Sequence, residues 1–300
     1  MADVDLRPLS LGEVLDRTFS LYRRNFLVFL GISALPHLLV LALRLVQAIA
    51  TPGLLIRETN AFNALAAFGP LGLVLLVVRL IAYILAQGGT VTAVSEIYMG
   101  RPTTIWQAMQ RLRGELGNLF GVLVLNGLLV FGGPIVCFAT GIVAGAPIMA
   151  FLGVLLFFFP GIYFACRLMV VVPAALLENI GPRSSVERSF ELTRGRSGRA
   201  FVIYILYFIL LIAAAALMTW PASAGLVASG RNPATLRFWL SMVQVGDFAA
   251  QVLVEPFLMI AAAIFYYDLR VRKEGFDLQV MLNPSGRIAT GTAGVPSMFS

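Results

Sequence analysis

The chain has 300 residues, 59% of them hydrophobic and only 12% charged. Soluble domains carry about 25% charged residues, so this composition lacks the polar surface to cover a core in water and points to the bilayer as solvent. The formal net charge of +7 is almost all arginine, with Lys273 the only lysine; because the arginines flank apolar stretches, anionic membrane lipid is the expected partner and nucleic acid is not.

Residues 1–25 hold Asp3, Asp5, Arg7, Glu13, Asp16, Arg17, Arg23 and Arg24. That is unlike the short basic region and apolar stretch of a cleavable signal, so the first span reads as an uncleaved anchor. A crossing helix needs about 20 apolar residues. Candidate spans are 26–50, 70–98, 117–140, 147–177, 200–228 and 239–267. The connections near 51–60, 100–117, 178–199 and 229–237 are too short for an independent core, so no attached soluble catalytic domain is expected. Cys137 and Cys166 fall in apolar segments and read as buried free thiols. Region 119–177 has Arg167 as its only charge and has room for two or three spans. Two spans place the arginines of 7–24, 101–113, 183–199 and 270–287 on one side and only Arg57, Arg231 and Arg237 on the other, as the positive-inside rule requires. Three would put the five arginines of 183–199 outside. The expectation is a single polytopic domain over 1–282, all-α with six spans, both termini cytoplasmic, in a bacterial inner membrane, and a disordered tail at 283–300. Gly69-Pro70, Gly132-Gly133-Pro134 and Pro160-Gly161 mark places where a helix can kink, or unwind to line a cavity.

The segments between spans resemble one another. Leu15 to Arg23 (LDRTFSLYR) lies over Val186 to Arg194 (VERSFELTR), and Ile105 to Arg113 forms a weaker third copy. The apolar positions coincide as Leu15, Thr18, Phe19, Tyr22; Ile105, Ala108, Met109, Leu112; and Val186, Ser189, Phe190, Thr193, the spacing of one helical stripe. Ser10 with Glu13, Thr104 with Gln107 and Ser184 with Glu187 each fit a capping box. The predicted architecture is therefore three repeats, 8–99, 102–180 and 182–270, each an amphipathic helix in the cytoplasmic interface followed by a transmembrane hairpin. Glu96, Glu178 and Asp268 close the three units, near Arg17, Arg23, Arg188 and Arg194. They read as a salt-bridge ring that docks the units, with a functional acid cluster as the other reading.

Arg44, Arg79, Arg167, Asp247 and Glu255 lie inside the spans, where an ionised group costs about 2.5–3.5 kcal/mol on insertion scales. One reading has Arg79 or Arg167 paired with Glu255 while Arg44 snorkels outward. The other is a polar cavity around Arg79, Arg167, Glu255 and Asp247 for an anionic solute or lipid headgroup, lined by Gln87, Gln244, Gln251 and Asn126, although amides at helix interfaces also simply bond across helices. His37 is the only histidine and no cysteine pair has zinc spacing, so a metal site, a cofactor and a serine–histidine nucleophile are not expected. The glycine-containing stretch at 194–198 lacks the strand and lysine of a phosphate loop.

The stretch Arg7-Pro8-Leu9-Ser10-Leu11-Gly12-Glu13-Val14-Leu15-Asp16-Arg17, Tyr22 to Phe26, Arg188 to Gly195, and Tyr267 to Asp277 together resemble a family of bacterial multi-pass proteins. It is named after the membrane domain found beside the catalytic barrel in some glycerophosphoryl diester phosphodiesterases. The resemblance covers roughly residues 6–280 and implies a stand-alone membrane domain, since the barrel with its histidines and metal-binding acids is missing. The expected function is non-enzymatic: a lipid-associated module, or one that binds a membrane-protein partner, acting through its arginine-rich cytoplasmic face. A permease-like protein built on Arg79, Arg167 and Glu255 is the alternative, and a lipid-modifying enzyme using Glu96, Glu178 and Asp268 is a third reading.

Overall fold

A computed structural model describes residues 7–50, 69–228 and 233–275; the tail at 283–300 and Arg57, Arg231 and Arg287 lie outside them. Every regular element among these residues is a helix. In chain order they are α1 (Leu11–Arg24), α2 (Phe26–Ala50), α3 (Gly69–Tyr98), α4 (Ile105–Leu112), α5 (Leu116–Val143), α6 (Pro147–Leu156), α7 (Ile162–Arg167), α8 (Val171–Glu178), α9 (Pro182–Thr193), α10 (Ser197–Ala228) and α11 (Pro233–Glu274). Taking the α6–α8 segment as one broken span, six helical stretches are long and apolar enough to cross a membrane. The protein is an all-α multi-pass membrane protein. A short helix followed by two spans recurs three times along the chain.

The spans divide by burial. In α10 only 6% of the apolar window is buried, whereas in α11 it is 72%. The others pack around α11, whose residues 256–269 are buried without interruption. Ala261, Ala262 and Ala263 within that run let neighbours approach closely. With 42 residues, α11 reaches roughly 60 Å at 1.5 Å per residue, about twice the hydrocarbon thickness. Its last turns therefore stand beyond the apolar layer as a post for the short helices. Large side chains such as Leu27, Phe159, Leu217 and Trp220 remain exposed around the bundle, the surface that lipid covers.

The three short helices sit at one end of the bundle. Thr18, Ala108 and Ser189, equivalent positions in the three aligned segments, are all fully buried, and each is small enough for a helix to lie tightly on its spans. Phe19, predicted for the buried stripe, is half exposed and packs on Phe257 with ring centroids 4.8 Å apart. The capping boxes of Ser10 with Glu13 and Thr104 with Gln107 are formed. At Glu13 the Ser10 backbone N–H, then the Ser10 hydroxyl and Arg7, hold the carboxyl down at about 2. The third box does not form: α9 starts before Ser184, with Gly181 at the cap and Pro182 in the first turn. Proline's fixed φ suits that position, and Glu187 pairs with Arg183 instead. Ile105 of α4 packs on Gly31 of α2, and Leu112 packs on Gly88 of α3; the start of α9 rests on Gly121 of α5 through Pro182.

The helix breaks fall in one span. Pro134 sits within a continuous α5, so Gly132-Gly133-Pro134 interrupts nothing. At Pro160 the chain widens into a π turn, Phe157–Gly161, which absorbs a residue where the proline cannot donate. The sharper break, at Leu168–Val170, is one that sequence reading missed. Pro173 in the first turn of α8 has no N–H to offer residue 169 and its ring crowds that carbonyl. The Arg167 carbonyl left over at the end of α7 is taken up by α9: the Ser189 and Thr193 hydroxyls donate to it at 2.8 and 3.0 Å.

The close approach of α10 to α11 yields a test. A Cβ on Gly246 would lie 2.6 Å from the Met218 carbonyl oxygen, whereas one on Gly127 would meet nothing within 4 Å. Gly246→Ala is expected to cost about 1–3 kcal/mol, the usual range for overpacking. Gly127→Ala is neutral or stabilising by up to about 1 kcal/mol. Unfolding in mixed micelles checks the difference.

Candidate functional site

Three consecutive residues near the end of α11 organise the short-helix end. Successive residues on an α-helix point about 100° apart, so Tyr266, Tyr267 and Asp268 address three different neighbours. The Tyr266 hydroxyl donates to Glu178 at 2.7 Å. Tyr267 stacks on Tyr98 with centroids 5.1 Å apart, and its hydroxyl lies 3.0 Å from Ser95 Oγ. The Asp268 side chain, 0% exposed, pairs with Arg199 at 2.7 Å and Arg272 at 2.9 Å. It also accepts the Leu9 backbone N–H at 2.7 Å, while Arg199 and Arg272 donate to the Leu9 carbonyl at 2.9 and 2.5 Å.

The other two unit-closing acids meet arginines of the short helix that follows them. Glu96 pairs with Arg111 of α4 and lies 3.8 Å from Arg101. Glu178 pairs with Arg188 of α9 at 2.9 Å, and Arg188 also contacts Glu191 at 3.3 Å and Glu274. Burial works against the Arg188 charge, but Glu178 and then Glu274 outweigh it and hold the guanidinium above its ordinary value. The third acid, Asp268, closes on the residues leading into α1, so each acid grips the short helix next in cyclic order. Arg199, Arg272, Glu274, Leu9 and the tyrosines were not singled out from sequence. The polar run Tyr266-Tyr267-Asp268 ending an otherwise apolar segment is the signal that marks them.

Arg17 and Arg23 part company. Arg17 donates to the Tyr98 hydroxyl at 2.9 Å and, with Ser20, Leu21, Arg24, Tyr98 and Ile264, lines a hollow of about 160 Å³ between α1, α3 and α11. Arg23 and Arg194 are exposed and form no ion pair with a described residue. Trp106 is 62% exposed beside Arg113, whose guanidinium carbon lies 5.5 Å from the ring centre.

The predicted intramembrane cluster of Arg79, Arg167, Glu255 and Asp247 does not converge. Arg167 belongs to the short-helix end, stacked over Phe190 of α9 at 5.0 Å. Arg79 is exposed, with no hydrogen bond or ion pair to a described residue. Glu255 pairs with His37 Nε2 at 3.2 Å, not with either arginine. Asp247 takes Arg44 at 3.0 Å, so Arg44 does not snorkel alone. Gln244 and Gln251 join that group, Gln87 is buried, and Asn126 Oδ1 is buried with no partner among the described residues. Cys137 and Cys166 are free thiols, Cys166 buried and Cys137 half-buried.

No family model, no curated protein and no solved structure matches the chain.

Breaking a buried ion pair leaves an uncompensated charge and costs about 3–5 kcal/mol. Asp268→Asn, which strands Arg199 and Arg272, is therefore expected to destabilise the protein by about 3 kcal/mol in mixed-micelle unfolding. Arg183→Ala, which removes an exposed pair with Glu187, is expected to change stability by less than about 0.5 kcal/mol.

Proposed function

We propose that this chain is a non-enzymatic protein of the bacterial cytoplasmic membrane whose arginine-rich end faces the cytoplasm and holds anionic lipid headgroups. The observation that carries this reading is the hollow under α1. Arg17, Ser20, Leu21 and Arg24 lie at i, i+3, i+4 and i+7, one face of the helix, and they line the hollow with Tyr98 and Ile264. Two guanidiniums and a hydroxyl above an apolar wall match a phosphodiester headgroup with its acyl chain below. Arg binds phosphate oxygens through paired N–H donors. Exposed Trp106 at the same end is the kind of side chain that settles at headgroup level.

The basic connections support the cytoplasmic orientation. The recurrence of a short helix with two spans, and the grip of each acid on the next short helix, support reading residues 8–99, 102–180 and 182–270 as an internal repeat. The resemblance to the membrane domain of glycerophosphoryl diester phosphodiesterases is in keeping with a repeated membrane domain of this kind.

A basic residue near an anionic surface contributes about 1 kcal/mol, so removing two is expected to weaken the preference for anionic lipid by roughly tenfold or more. The measurement is retention of phosphatidylglycerol against phosphatidylcholine in native mass spectrometry, for the wild type and for Arg17→Gln combined with Arg24→Gln. A preference that the double variant keeps contradicts this reading and leaves the arginines to a protein partner.

A further inference from the structure

Helices α2 and α11 face one another along a polar seam. On α2, Ser33, His37 and Arg44 stand at i, i+4 and i+11, and on α11, Gln244, Asp247, Gln251 and Glu255 stand at i, i+3, i+7 and i+11. Each set forms one stripe of a helix. At one end of the seam Arg44 donates to Gln244 and Asp247, both at 3.0 Å, and Gln251 donates to Asp247 at 2.8 Å. At the other end His37 Nδ1 lies 2.9 Å from the Ser33 carbonyl oxygen, and His37 Nε2 lies 3.2 Å from Glu255 Oε2.

The two contacts of the imidazole settle its protonation together. A carbonyl oxygen only accepts, so Nδ1 carries a hydrogen. Nε2 of a neutral ring and a carboxylate oxygen are then both acceptors, and a bond between them requires one further proton. That proton sits on the ring, giving imidazolium and carboxylate, or on Glu255, giving imidazole and carboxylic acid. Either way the pair is neutral overall. Releasing the proton leaves a net charge of −1 in an apolar interior, with two acceptors facing each other; binding it restores neutrality and the bond.

The surroundings fit a site that exchanges a proton. Glu255 Oε1 and Ser33 Oγ are buried with no hydrogen-bond partner among the described residues, so the carboxyl keeps a second oxygen able to carry a proton. The charged and titratable groups whose fields reach the pair are Arg79 and Tyr83 on α3, Tyr207 on α10 and Arg44 on α2 itself. A hollow of about 10 Å³, lined by His37, Val40, Leu41, Arg44, Gln244, Phe248 and Gln251, lies between the imidazole and Arg44.

We propose that His37 and Glu255 form a proton-binding site inside the membrane, whose bound proton joins α2 to α11 and exchanges with solvent along the seam at the Arg44–Asp247 end. This activity is separate from headgroup binding at the opposite end and does not rest on it.

His37 is the only histidine, which makes the test direct. The full-length protein, labelled with ¹⁵N-histidine, is reconstituted in phosphatidylcholine vesicles and followed by solid-state NMR between about pH 5 and 9, the range in which imidazoles titrate. Nδ1 is expected to stay protonated throughout while the Nε2 resonance moves in a single step. In Glu255→Gln the amide donates to a neutral Nε2 and keeps the bond without a removable proton, so the Nε2 resonance is expected to stand still. Melting is read alongside: the wild-type melting temperature falls as pH rises, and that of Glu255→Gln changes less. His37→Gln serves for the melting comparison if Glu255→Gln does not fold, and it too is expected to flatten the profile. A wild-type Nε2 resonance that does not move, one that moves alike in Glu255→Gln, or a melting profile unchanged in both variants overturns the proposal.

Discussion

Asp268 sits in the stretch of α11 that is buried on every side, where a carboxylate persists only if cations and N–H groups surround it. Its partners come from far apart in the chain: Arg199 at the start of α10, Arg272 one turn further along α11, and the backbone of Leu9 just before α1. The N-terminal helix therefore has one seat, set by the need to neutralise and hydrogen-bond this single group. Removing Asp268 would leave two guanidiniums with only the Leu9 carbonyl between them. Glu178 and Glu96 repeat the logic for α9 and α4, with carboxylates less deeply buried than that of Asp268.

Around that end the chemistry is graded by depth. Among the described residues most ion pairs stand at the turns that leave the apolar layer, where arginine heads meet carboxylates. Within the layer, polar groups are fewer and are matched across α2 and α11, with Arg44 on Asp247 and His37 on Glu255. Beyond Arg199 in its first turn, α10 has no ion pair with a described residue, and with much of α5 and α6 it presents lipid-facing surface. The bundle is asymmetric in consequence: α11 with α2 and α3 forms a polar-seamed core, and α10 is a flank packed closely on α11 at Gly246.

Much of this was legible from sequence because helices and apolar spans leave strong local marks. The six spans, the separate short helices and the boxes at Ser10 and Thr104 follow from periodicity, length and capping chemistry. That Glu96, Glu178 and Asp268 would meet arginines was recognisable because each stands where a span meets a basic segment. What failed depended on which helices are neighbours. That Glu255 and Arg79 both lie inside spans says nothing about facing, and the imidazole of His37 lies opposite the carboxylate instead. Arg167 reads from sequence as one of the charges inside the 147–177 span, and the break at Leu168–Val170, which Pro173 favours, is not marked there by any glycine–proline pair. Ser184 mimicked a cap that Gly181 and Pro182 supply.

The most direct test of the acid ring is a double-mutant cycle between Glu178 and Arg188, using Glu178→Gln, Arg188→Gln and the pair, with unfolding free energies measured in mixed micelles. Groups that share a contact couple by about 0.5–3 kcal/mol. If the unit-closing acids dock the short helices, the coupling between these two should exceed about 1 kcal/mol. Additive single effects, with coupling near zero, would mean that α9 is held by its buried face alone and that the acids do not dock it.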